Sequence, residues 1–285
     1  MEQPRGTNLA RQVTPAYNRN SAQLYVGDCA DVMAALPAES VDAIVTSPPY
    51  AMQRKTTYGG IPEKEYPAWT VAWMDEARRV LKPDGSVIIN ISPHKSGGVI
   101  SDYVLRTRLA LRGEEWAEID EIIWHKTDAP PTGSPIRPRR SWESLLWFAT
   151  HPRAFSDAKA AGKPPLFTHS YNGGGGRADR LGWSHGLTGS QKMPDIARVP
   201  NIVAMGKAKK AGVDHPAMFP WQLAEWCGKL ICPPGGTILD PFNGSASTGV
   251  AALRNGWHYI GIDAVPEYIE MSGKRLDHCA KELAA

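Results

Sequence analysis

Short apolar runs alternate with segments of helical periodicity along most of this chain. Residues 41–45 and 86–91 are nearly continuous β-branched runs, which are typical of strands buried on both faces of a parallel sheet. Between these two runs, apolar residues at helical spacing predict an amphipathic helix over 69–81. A strand, a helix and a second parallel strand form a crossover unit, so the pattern predicts an α/β fold.

The remaining pattern divides the chain into four parts. Further strands are predicted at 23–26, 118–126, 144–149, 237–239 and 259–262, and further helices at 31–36, 99–112, 221–231 and 248–255. Residues 1–20 are polar and aperiodic, which predicts a flexible N-terminal arm. Residues 151–200 are loop-rich, so we expect an insertion there between the two parts of one α/β domain, 21–150 and 201–285.

Composition narrows the class of protein only slightly. With 285 residues and 42% hydrophobic content the chain can bury a large core, and its net charge of +3 permits nucleic-acid binding without requiring it. We find no apolar segment of membrane-spanning length and no signal-peptide pattern, and we therefore expect a cytoplasmic protein without membrane contact. The four cysteines are scattered, which favours reduced packing residues and no metal site.

The residues that follow the first buried strand carry a chemical signal. Ser47, Pro48, Pro49 and Tyr50 come directly after it, and loops at the carboxyl ends of strands line the ligand crevice of an open α/β sheet. Two prolines have no N–H groups and form a rigid turn, which leaves carbonyl oxygens outside local hydrogen bonds. A stiff set of acceptors followed by an aromatic ring is suited to a binding site, although a Pro-Pro pair also simply ends strands.

A second signal follows a later predicted strand. The stretch from Asp240 to Gly249, DPFNGSASTG, joins that strand to a helix through small residues, and Asp263 lies 19 residues after Gly244 (263 − 244). An acid about 20 residues beyond a glycine turn is the arrangement that holds ribose hydroxyls. Asp28 also ends a predicted strand, where it is a candidate acceptor for a ligand amine or a helix N-cap.

Three ligand classes compete for the glycine turn. A P-loop requires Gly-Lys-Ser/Thr, which this chain lacks. A dinucleotide site normally has Gly-x-Gly-x-x-Gly, whereas Ala246 here places a Cβ where the pyrophosphate must approach. A nucleoside ligand without phosphates, such as S-adenosylmethionine (AdoMet), needs a less close approach, and Asp240 is a candidate partner for its ammonium group.

Basic, aromatic and amide side chains cluster in three loop segments. Interleaved basic and aromatic residues suit a nucleic-acid backbone and unstacked bases, and longer polar side chains can read base edges. The candidates for DNA contact are Arg54, Lys55 and Tyr58 in the first loop, Arg137, Arg139 and Arg140 in the second, and Asn172, Arg177, Arg180 and His185 in the insertion. Solvated loops and a glycine hinge at 173–176 are the alternatives.

Several of these stretches together resemble the β-class of amino-group DNA methyltransferases. The resemblance is carried by VDAIVTSPPY, RVLKPDGSVIIN, ESLLWFAT, HPAMFPWQL and ILDPFNGSASTG followed by YIGID, in the order found in that family and over roughly residues 21–275. It implies a Rossmann-like methyltransferase sheet with helices on both faces, a circularly permuted motif order, and target recognition by the insertion at 151–200. Ala246 stands where the family often has a second glycine, so we expect altered turn packing with cofactor binding retained.

The resemblance also implies roles for individual residues. AdoMet would be the cofactor and double-stranded DNA the substrate. Ser47 and the Pro48 carbonyl would hold the amine hydrogens of a flipped base, within the turn that Pro49 completes, and Tyr50 would stack on that base. Asp28 would contact the cofactor's adenine amine and Asp263 its ribose. The other implied cofactor-site residues are His215, Pro216, Asp240, Phe242, Asn243, Gly244 and Ser245.

The target base is open between adenine N6 and cytosine N4. Serine at the first motif position is more typical of N4-cytosine enzymes, but adenine is the commoner bacterial target, and we narrowly expect adenine. An RNA or protein amine methyltransferase and a catalytically silent DNA-binding protein are the rival classes. A short palindromic site would favour a homodimer. No nuclease motif is evident, so a solitary enzyme and one with a separate restriction partner both fit the sequence.

Overall fold

The computed structural model describes residues 13–53, 59–96, 98–126, 140–162, 197–198 and 219–285. The strands in this part of the chain are β1 Tyr17–Arg19, β2 Ala22–Val26, β3 Val41–Thr46, β4 Leu81–Ile91, β5 Lys95–Ser96, β6 Val99–Ile100, β7 Ala117–His125, β8 Trp142–Ala149, β9 Ala197–Arg198, β10 Thr237–Asp240 and β11 His258–Asp263. The helices are α1 Cys29–Ala35, α2 Tyr66–Val80, α3 Tyr103–Gly113, α4 Ala158–Ala161, α5 Trp221–Ile231, α6 Ser247–Arg254 and α7 Pro266–Ala284.

One main sheet joins the first and last parts of the chain. Among the described residues it has nine strands in the order β1-β2-β11-β10-β3-β4-β8-β7-β9. The segment from β2 through β11, β10 and β3 to β4 is parallel, and β8 and β7 extend it in antiparallel pairing. Strand β3 leads through α2 to β4 on one side, whereas β10 leads through α6 to β11 on the other. The β10–β3 pair is therefore a topological switch point, where a crevice opens at the carboxyl ends of the strands.

Helices cover both faces of this sheet. Helices α1, α2 and α3 pack on one core, which includes Trp73, and α5, α6 and α7 pack on a second core, which includes Leu276. In β3, Ala43 and Val45 belong to the second core and Ile44 to the first, because successive residues of a strand point to opposite faces. The predicted three-layer α/β architecture is confirmed.

The predicted N-terminal arm is wrong in its last residues. Tyr17–Arg19 lies inside the stretch 1–20 but forms β1, which pairs antiparallel with β2. The Tyr17 hydroxyl also donates to Asp277 Oδ1 of α7 at 3.0 Å. These three residues show no periodic pattern. They are ordered by strand pairing and by a long-range contact, and neither of these can be predicted from the local sequence. Residues 1–12 lie outside the described residues.

The helix predicted at 99–112 is wrong in its first residues. Val99–Ile100 forms β6, which pairs with β5 in a short antiparallel hairpin, and the helix begins only at Tyr103. Two exposed apolar residues beside a helix cannot be assigned from periodicity alone. Helix α7 had no counterpart among the predicted elements, although its apolar face is buried against β2 and β11.

Three features of the described residues bear on the possible functions. None of the helices has the length and apolarity needed to cross a bilayer. The His, Cys, Asp and Glu side chains of the described part do not form a group that could hold a metal ion. All four cysteines are buried free thiols, and Cys227 and Cys232 lie in the packing around α5.

Candidate active site

The Ser-Pro-Pro-Tyr turn lies at the carboxyl end of β3, on one side of the switch point. Pro48 is buried, whereas Ser47 and Tyr50 are partly exposed. A second backbone turn follows directly, in which Gln53 N donates to Tyr50 O at 3.1 Å. Within the described residues no backbone N–H reaches the carbonyl oxygens of Ser47 and Pro48. The turn therefore presents acceptors, as the two prolines predict.

A polar cluster lies directly behind this turn. The Tyr50 hydroxyl donates to Glu143 Oε2 at 2.9 Å, and Asn90 Nδ2 donates to the same oxygen at 3.0 Å. Asn90 Nδ2 also lies 3.2 Å from the Tyr50 hydroxyl and 3.4 Å from Ser47 Oγ. Lys126 Nζ bonds the other carboxylate oxygen, Oε1. We call these five residues, Ser47, Tyr50, Asn90, Lys126 and Glu143, the amine-side cluster.

Sheet topology brings the amine-side cluster together. Asn90 is near the carboxyl end of β4, and Glu143 is near the start of β8, which runs antiparallel to β4. Lys126 follows the end of β7, where Trp124 pairs with Glu143. All of these positions lie at the edge of the sheet where β3 ends at Ser47, so residues far apart in sequence meet at one site.

Burial and charge keep Tyr50 in its neutral form. Removal of the phenol from water raises the pKa of Tyr50 well above its ordinary value, and the negative charge of Glu143 raises it further. The hydroxyl therefore stays protonated near neutral pH and donates to the carboxylate. Its ring is fixed at both ends, by the chain at Cα and by Glu143 at the hydroxyl.

Asp240 joins the Ser-Pro-Pro-Tyr turn to the glycine turn. Its Oδ1 accepts from Thr46 Oγ1 at 2.7 Å and from Phe242 N at 3.1 Å, and its Oδ2 accepts from Thr248 Oγ1 at 2.8 Å. The side chain is 1% exposed. Burial raises the pKa of Asp240 to about 6 against these hydrogen bonds, which lower it. In this structure Asp240 therefore connects β3, β10 and α6 through these hydrogen bonds.

The glycine turn is held from the next strand by Asp263. Its Oδ2 accepts from Gly244 N at 2.8 Å and its Oδ1 accepts from Val265 N at 3.0 Å, and the residue is 2% exposed. Gly244 has a φ of 51°, a region that glycine adopts without strain. The Asp263 carboxylate, whose spacing from Gly244 predicted a ribose contact, therefore also holds the glycine turn in place.

Hydrogen-bonded side chains complete the inner side of this turn. Asn243 is buried, donates to Ser272 Oγ at 2.8 Å and accepts from the Tyr259 hydroxyl at 2.8 Å. Arg275 Nη1 donates to Ser245 O at 2.6 Å and to Ser245 Oγ at 3.0 Å. In this structure Asn243 and Ser245 therefore connect the turn to α7.

Ala246 occupies the N-cap of α6 in a left-handed conformation. Its φ and ψ are 56° and 41°, and its side chain is fully buried. Residues with a Cβ rarely adopt this region, since it brings Cβ too close to the carbonyl oxygen. The alteration of turn packing expected at this position is therefore a strained backbone conformation at Ala246. The turn is still hydrogen-bonded, because Ala246 N donates to Asn243 O at 2.8 Å.

An aromatic group and an exposed acid line the other side of the turn. The partly buried ring of Phe242 lies 5.4 Å from the ring centroids of both Trp69 and Trp73, so this side chain packs in part against the core. Asp28 is exposed, and its Oδ1 caps α1 by accepting from Ala30 N at 2.9 Å. The N-cap alternative is thus correct, and Oδ2 has no donor among the described residues.

These residues fit a nucleoside cofactor. Strands β2, β10 and β11 are parallel, so Asp28, Asp240 and Asp263 stand at one edge of the sheet, and Gly27 N donates to Asp263 O at 3.0 Å. An exposed carboxylate oxygen and a partly exposed aromatic ring, both beside the braced glycine turn, suit an adenine amine and the adenosine ring. AdoMet would bind along this edge and supply an electrophilic methyl group.

Of the residues predicted to contact DNA, Arg140 lies in the described part of the chain. Its Nη1 donates to Pro93 O at 2.8 Å, and its guanidinium lies 4.9 Å from the Trp142 ring centroid. It therefore stands beside the start of β8, close to the amine-side cluster. The remaining residues predicted to contact DNA or cover the cofactor lie outside the described residues: Arg54, Lys55, Tyr58, Arg137, Arg139, Asn172, Arg177, Arg180, His185, His215 and Pro216.

Sequence reasoning missed five polar residues of the site. Thr46 and Thr248 bond Asp240, and Asn90, Lys126 and Glu143 stand behind Tyr50. Asn90 interrupts the apolar run SVIINI, and a polar residue near the carboxyl end of a buried strand is a usable signal. Glu143 carries no such signal, because its place depends on how β8 pairs with β4.

Comparison with known proteins agrees with this geometry. A family model described as DNA methylase, of the N6 and N4 type, matches residues 41–274. Type II methyltransferase M.PvuII of Proteus hauseri is 26% identical over 292 residues, covering 92% of this chain and 85% of that protein. Type II methyltransferase M.XycI of Xanthomonas campestris pv. cyanopsidis is 28% identical over 310 residues, covering 96% and 93%.

Solved structures show the same fold. A PvuII DNA methyltransferase described as cytosine-N4-specific superposes with a TM-score of 0.72 at 24% identity, covering 94% of this chain and 93% of that one. M1.HpyAVI, solved as a complex with SAM, superposes with a TM-score of 0.61 at 20% identity, covering 90% and 99%. The predicted Rossmann-like methyltransferase fold is confirmed. This chain belongs to the N6 and N4 DNA methylase family and is an AdoMet-dependent amino-group DNA methyltransferase.

Proposed function

We propose that this protein methylates the N4 amine of cytosine in double-stranded DNA. The observation that carries the proposal is the turn at Ser47 and Pro48, whose acceptors have no backbone donor among the described residues and lie one strand away from the braced glycine turn. Serine at this position and the likeness to a cytosine-N4-specific enzyme support cytosine. The narrow preference for adenine drawn from the sequence has no support from these relatives.

The chemistry follows from the electronic structure of the amine. An exocyclic amine is a poor nucleophile because its lone pair is delocalised into the ring. Ser47 Oγ and the Pro48 carbonyl would accept its two hydrogens, favour a tetrahedral nitrogen, and stabilise the positive charge that develops during methyl transfer. Tyr50 would stack on the base after it leaves the duplex. Holding donor and acceptor in line would supply much of the rate.

The cofactor contacts are proposed for the neighbouring edge. Asp28 Oδ2 would accept from the adenine amine, since its other oxygen caps α1. Asp263, whose carboxylate accepts from Gly244 N and Val265 N, would also accept from a ribose hydroxyl. Asp240 would face the ammonium group from behind the turn, and Phe242 would pack on the adenosine. His215 and Pro216 would close over the cofactor.

Target recognition is proposed for the insertion and the basic loops. Arg140 would contact a phosphate near the flipped base, because it lies beside β8 at the same edge as Glu143. The other basic and amide residues named above, together with the segment 151–200, would read the surrounding duplex. Contacts to phosphates would make binding strongly dependent on salt concentration.

The identity of the methylated nucleoside tests the proposal. The protein is incubated with AdoMet and unmethylated genomic DNA, the DNA is digested to nucleosides, and the products are identified by mass. We expect N4-methylcytosine. N6-methyladenine would overturn the choice of base and leave the enzyme class intact. Absence of methyl transfer would favour a silent DNA-binding protein. RNA and protein substrates, incubated in parallel, test the rival methyltransferase class.

A further inference from the structure

We propose that Glu143 is a positioning residue for methyl transfer, which holds the Tyr50 hydroxyl and the Asn90 amide behind Ser47, with Lys126 balancing its charge. This inference rests on the proposed function, because it assigns a supporting role at the same site. Glu143 touches neither the turn carbonyls nor the glycine turn in the described structure. Its effect on the reaction would therefore pass through Tyr50 and Asn90.

Convergence of donors on one carboxylate is the first argument. Glu143 Oε2 receives both the Tyr50 hydroxyl at 2.9 Å and Asn90 Nδ2 at 3.0 Å, while Lys126 takes Oε1. The Glu143 side chain is 15% exposed and that of Lys126 is 18% exposed. Hydrogen bonds to an ionised, largely buried carboxylate are short and strong, so both donors are held in one orientation.

The orientation of Asn90 is the second argument. An ionised carboxylate only accepts hydrogen bonds, so Glu143 turns the Nδ2 side of the amide toward itself, and Nδ2 then also faces Ser47 Oγ. Asn90 Oδ1 is then buried and has no hydrogen-bond partner among the described residues. An unpaired buried acceptor costs stability. Such a cost beside the Ser-Pro-Pro-Tyr turn is typical of a site shaped for function rather than for folding.

Charge balance is the third argument. Removing Glu143 alone would leave the Lys126 ammonium largely buried and unpaired, which destabilises a fold by itself. Variants that remove both charges therefore separate positioning from simple destabilisation. Glu143→Gln with Lys126→Met keeps an oxygen acceptor for Tyr50 and Asn90. Glu143→Leu with Lys126→Met removes that acceptor at similar volume.

The test compares turnover in these two double variants. We expect Glu143→Leu/Lys126→Met to lower kcat by about tenfold to a hundredfold, because the ring and amide lose their fixed geometry. Glu143→Gln/Lys126→Met should retain most of the turnover. Affinity for AdoMet, measured by calorimetry, should stay near the wild-type value in both. Equal kcat in the two double variants would overturn the proposal.

A matched control lies on the other face of the sheet. Glu121 in β7 accepts from Arg108 and from Ser144, the residue that follows Glu143 in β8. Because successive strand residues point to opposite faces, this ion pair lies on the face opposite Glu143. Glu121→Gln should leave kcat unchanged. A similar loss of kcat in this variant would assign the effect to sheet stability and contradict the proposal.

A double-mutant cycle covers the case in which a charge-removing variant folds poorly. Tyr50→Phe removes only the hydroxyl that Glu143 receives. In the wild-type background it should lower kcat, and in the Glu143→Leu/Lys126→Met background it should have little further effect. Fully additive losses would overturn the proposal. A wild-type protein that transfers no methyl group would instead contradict the proposed function, and this inference with it.

Discussion

The two sides of the switch point use acidic residues in opposite ways. On the cofactor side, Asp240 and Asp263 are 1% and 2% exposed. Each oxygen of both carboxylates accepts a hydrogen bond, from hydroxyls and a backbone N–H at Asp240 and from backbone N–H groups at Asp263. On the amine side, Ser47 and Pro48 present oxygens without backbone donors in the described chain, and the charged residue, Glu143, stands behind them. One side uses carboxylates to fix the shape of a turn, and the other keeps its acceptors available.

This difference separates the expected consequences of substitution. Changes on the cofactor side should alter stability and AdoMet affinity, because the carboxylates are part of the turn. Changes on the amine side should alter turnover, because the acceptors contribute little to folding. A cofactor-side substitution that changed only turnover would contradict this division. So would an amine-side substitution that changed mainly stability or AdoMet affinity.

Tyr50→Ala should have the largest effect and should act on turnover. Base stacking on an aromatic ring contributes about 1–3 kcal/mol, and loss of orientation can lower a rate about a hundredfold. We expect kcat to fall by about a hundredfold, with AdoMet affinity near the wild-type value. Single-turnover kinetics and calorimetry measure the two quantities. An equal loss of AdoMet binding would contradict the assignment of Tyr50 to the base.

Asp240→Asn should change the pH dependence of stability. The folded state raises the pKa of Asp240 from 3.8 to about 6, so between these values it binds more protons than the unfolded chain, and stability is lost as pH rises through 6. The asparagine variant lacks this loss. Relative to the wild type it should therefore gain about 2 kcal/mol between pH 4 and pH 7.

Urea unfolding at several pH values measures this difference, in which the other titrating groups cancel. Asp42→Asn is a suitable control, because Asp42 is a partly buried carboxylate that pairs with Lys82 away from the turn. A constant difference between Asp240→Asn and the wild type across this pH range would show that the carboxyl does not titrate in the folded protein.

The division between the two sides also explains what the sequence could predict. The glycine turn and its acid follow one another along the chain, so spacing alone indicated Gly244 and Asp263. The Ser-Pro-Pro-Tyr turn was equally visible, because proline chemistry is local. Glu143 and Lys126 were not visible, since they reach Tyr50 only through the pairing of β8 with β4 and β7. Long-range register is the information that local patterns lack.

The same reasoning applies to the fold. The parallel strands and the crossover helices have strong periodicity and were predicted with the correct type. Strand β1 and the hairpin of β5 and β6 were missed, because two or three residues hold no period and depend on a partner strand. Likewise, the hydrogen bonds show that Asp28 caps α1, one of the two roles that the sequence left open for it, and that Asn243 links the turn to α7.

Asp263→Ala should lower AdoMet affinity more than turnover. The substitution leaves Gly244 N and Val265 N without their acceptor, and an unsatisfied buried donor costs about 1–3 kcal/mol. We expect AdoMet affinity to fall about tenfold, with kcat at saturating AdoMet reduced much less. Glu270→Ala, at an exposed acid of α7, is the control. Unchanged AdoMet affinity in calorimetry would count against the role of Asp263.

Ala246→Gly should have the smallest effect, because three contributions nearly cancel. Glycine relieves the left-handed strain at φ 56°, which costs an alanine about 1–2 kcal/mol. Against this gain, the variant loses a fully buried methyl group, worth about 0.8 kcal/mol. It also gains unfolded-state entropy worth about 0.4–1 kcal/mol. We therefore expect the free energy of unfolding to change by less than about 1 kcal/mol, with AdoMet affinity retained.

Ala251→Gly provides the comparison that makes this small effect informative. Ala251 is also buried in α6, but it is helical, so glycine there loses the methyl group and helix propensity without relieving strain. We expect a loss of about 1.5–2 kcal/mol. The gap between the two variants measures the strain stored at Ala246. If urea unfolding gives equal losses, then the turn on the cofactor side holds no strain, and its shape costs the fold nothing.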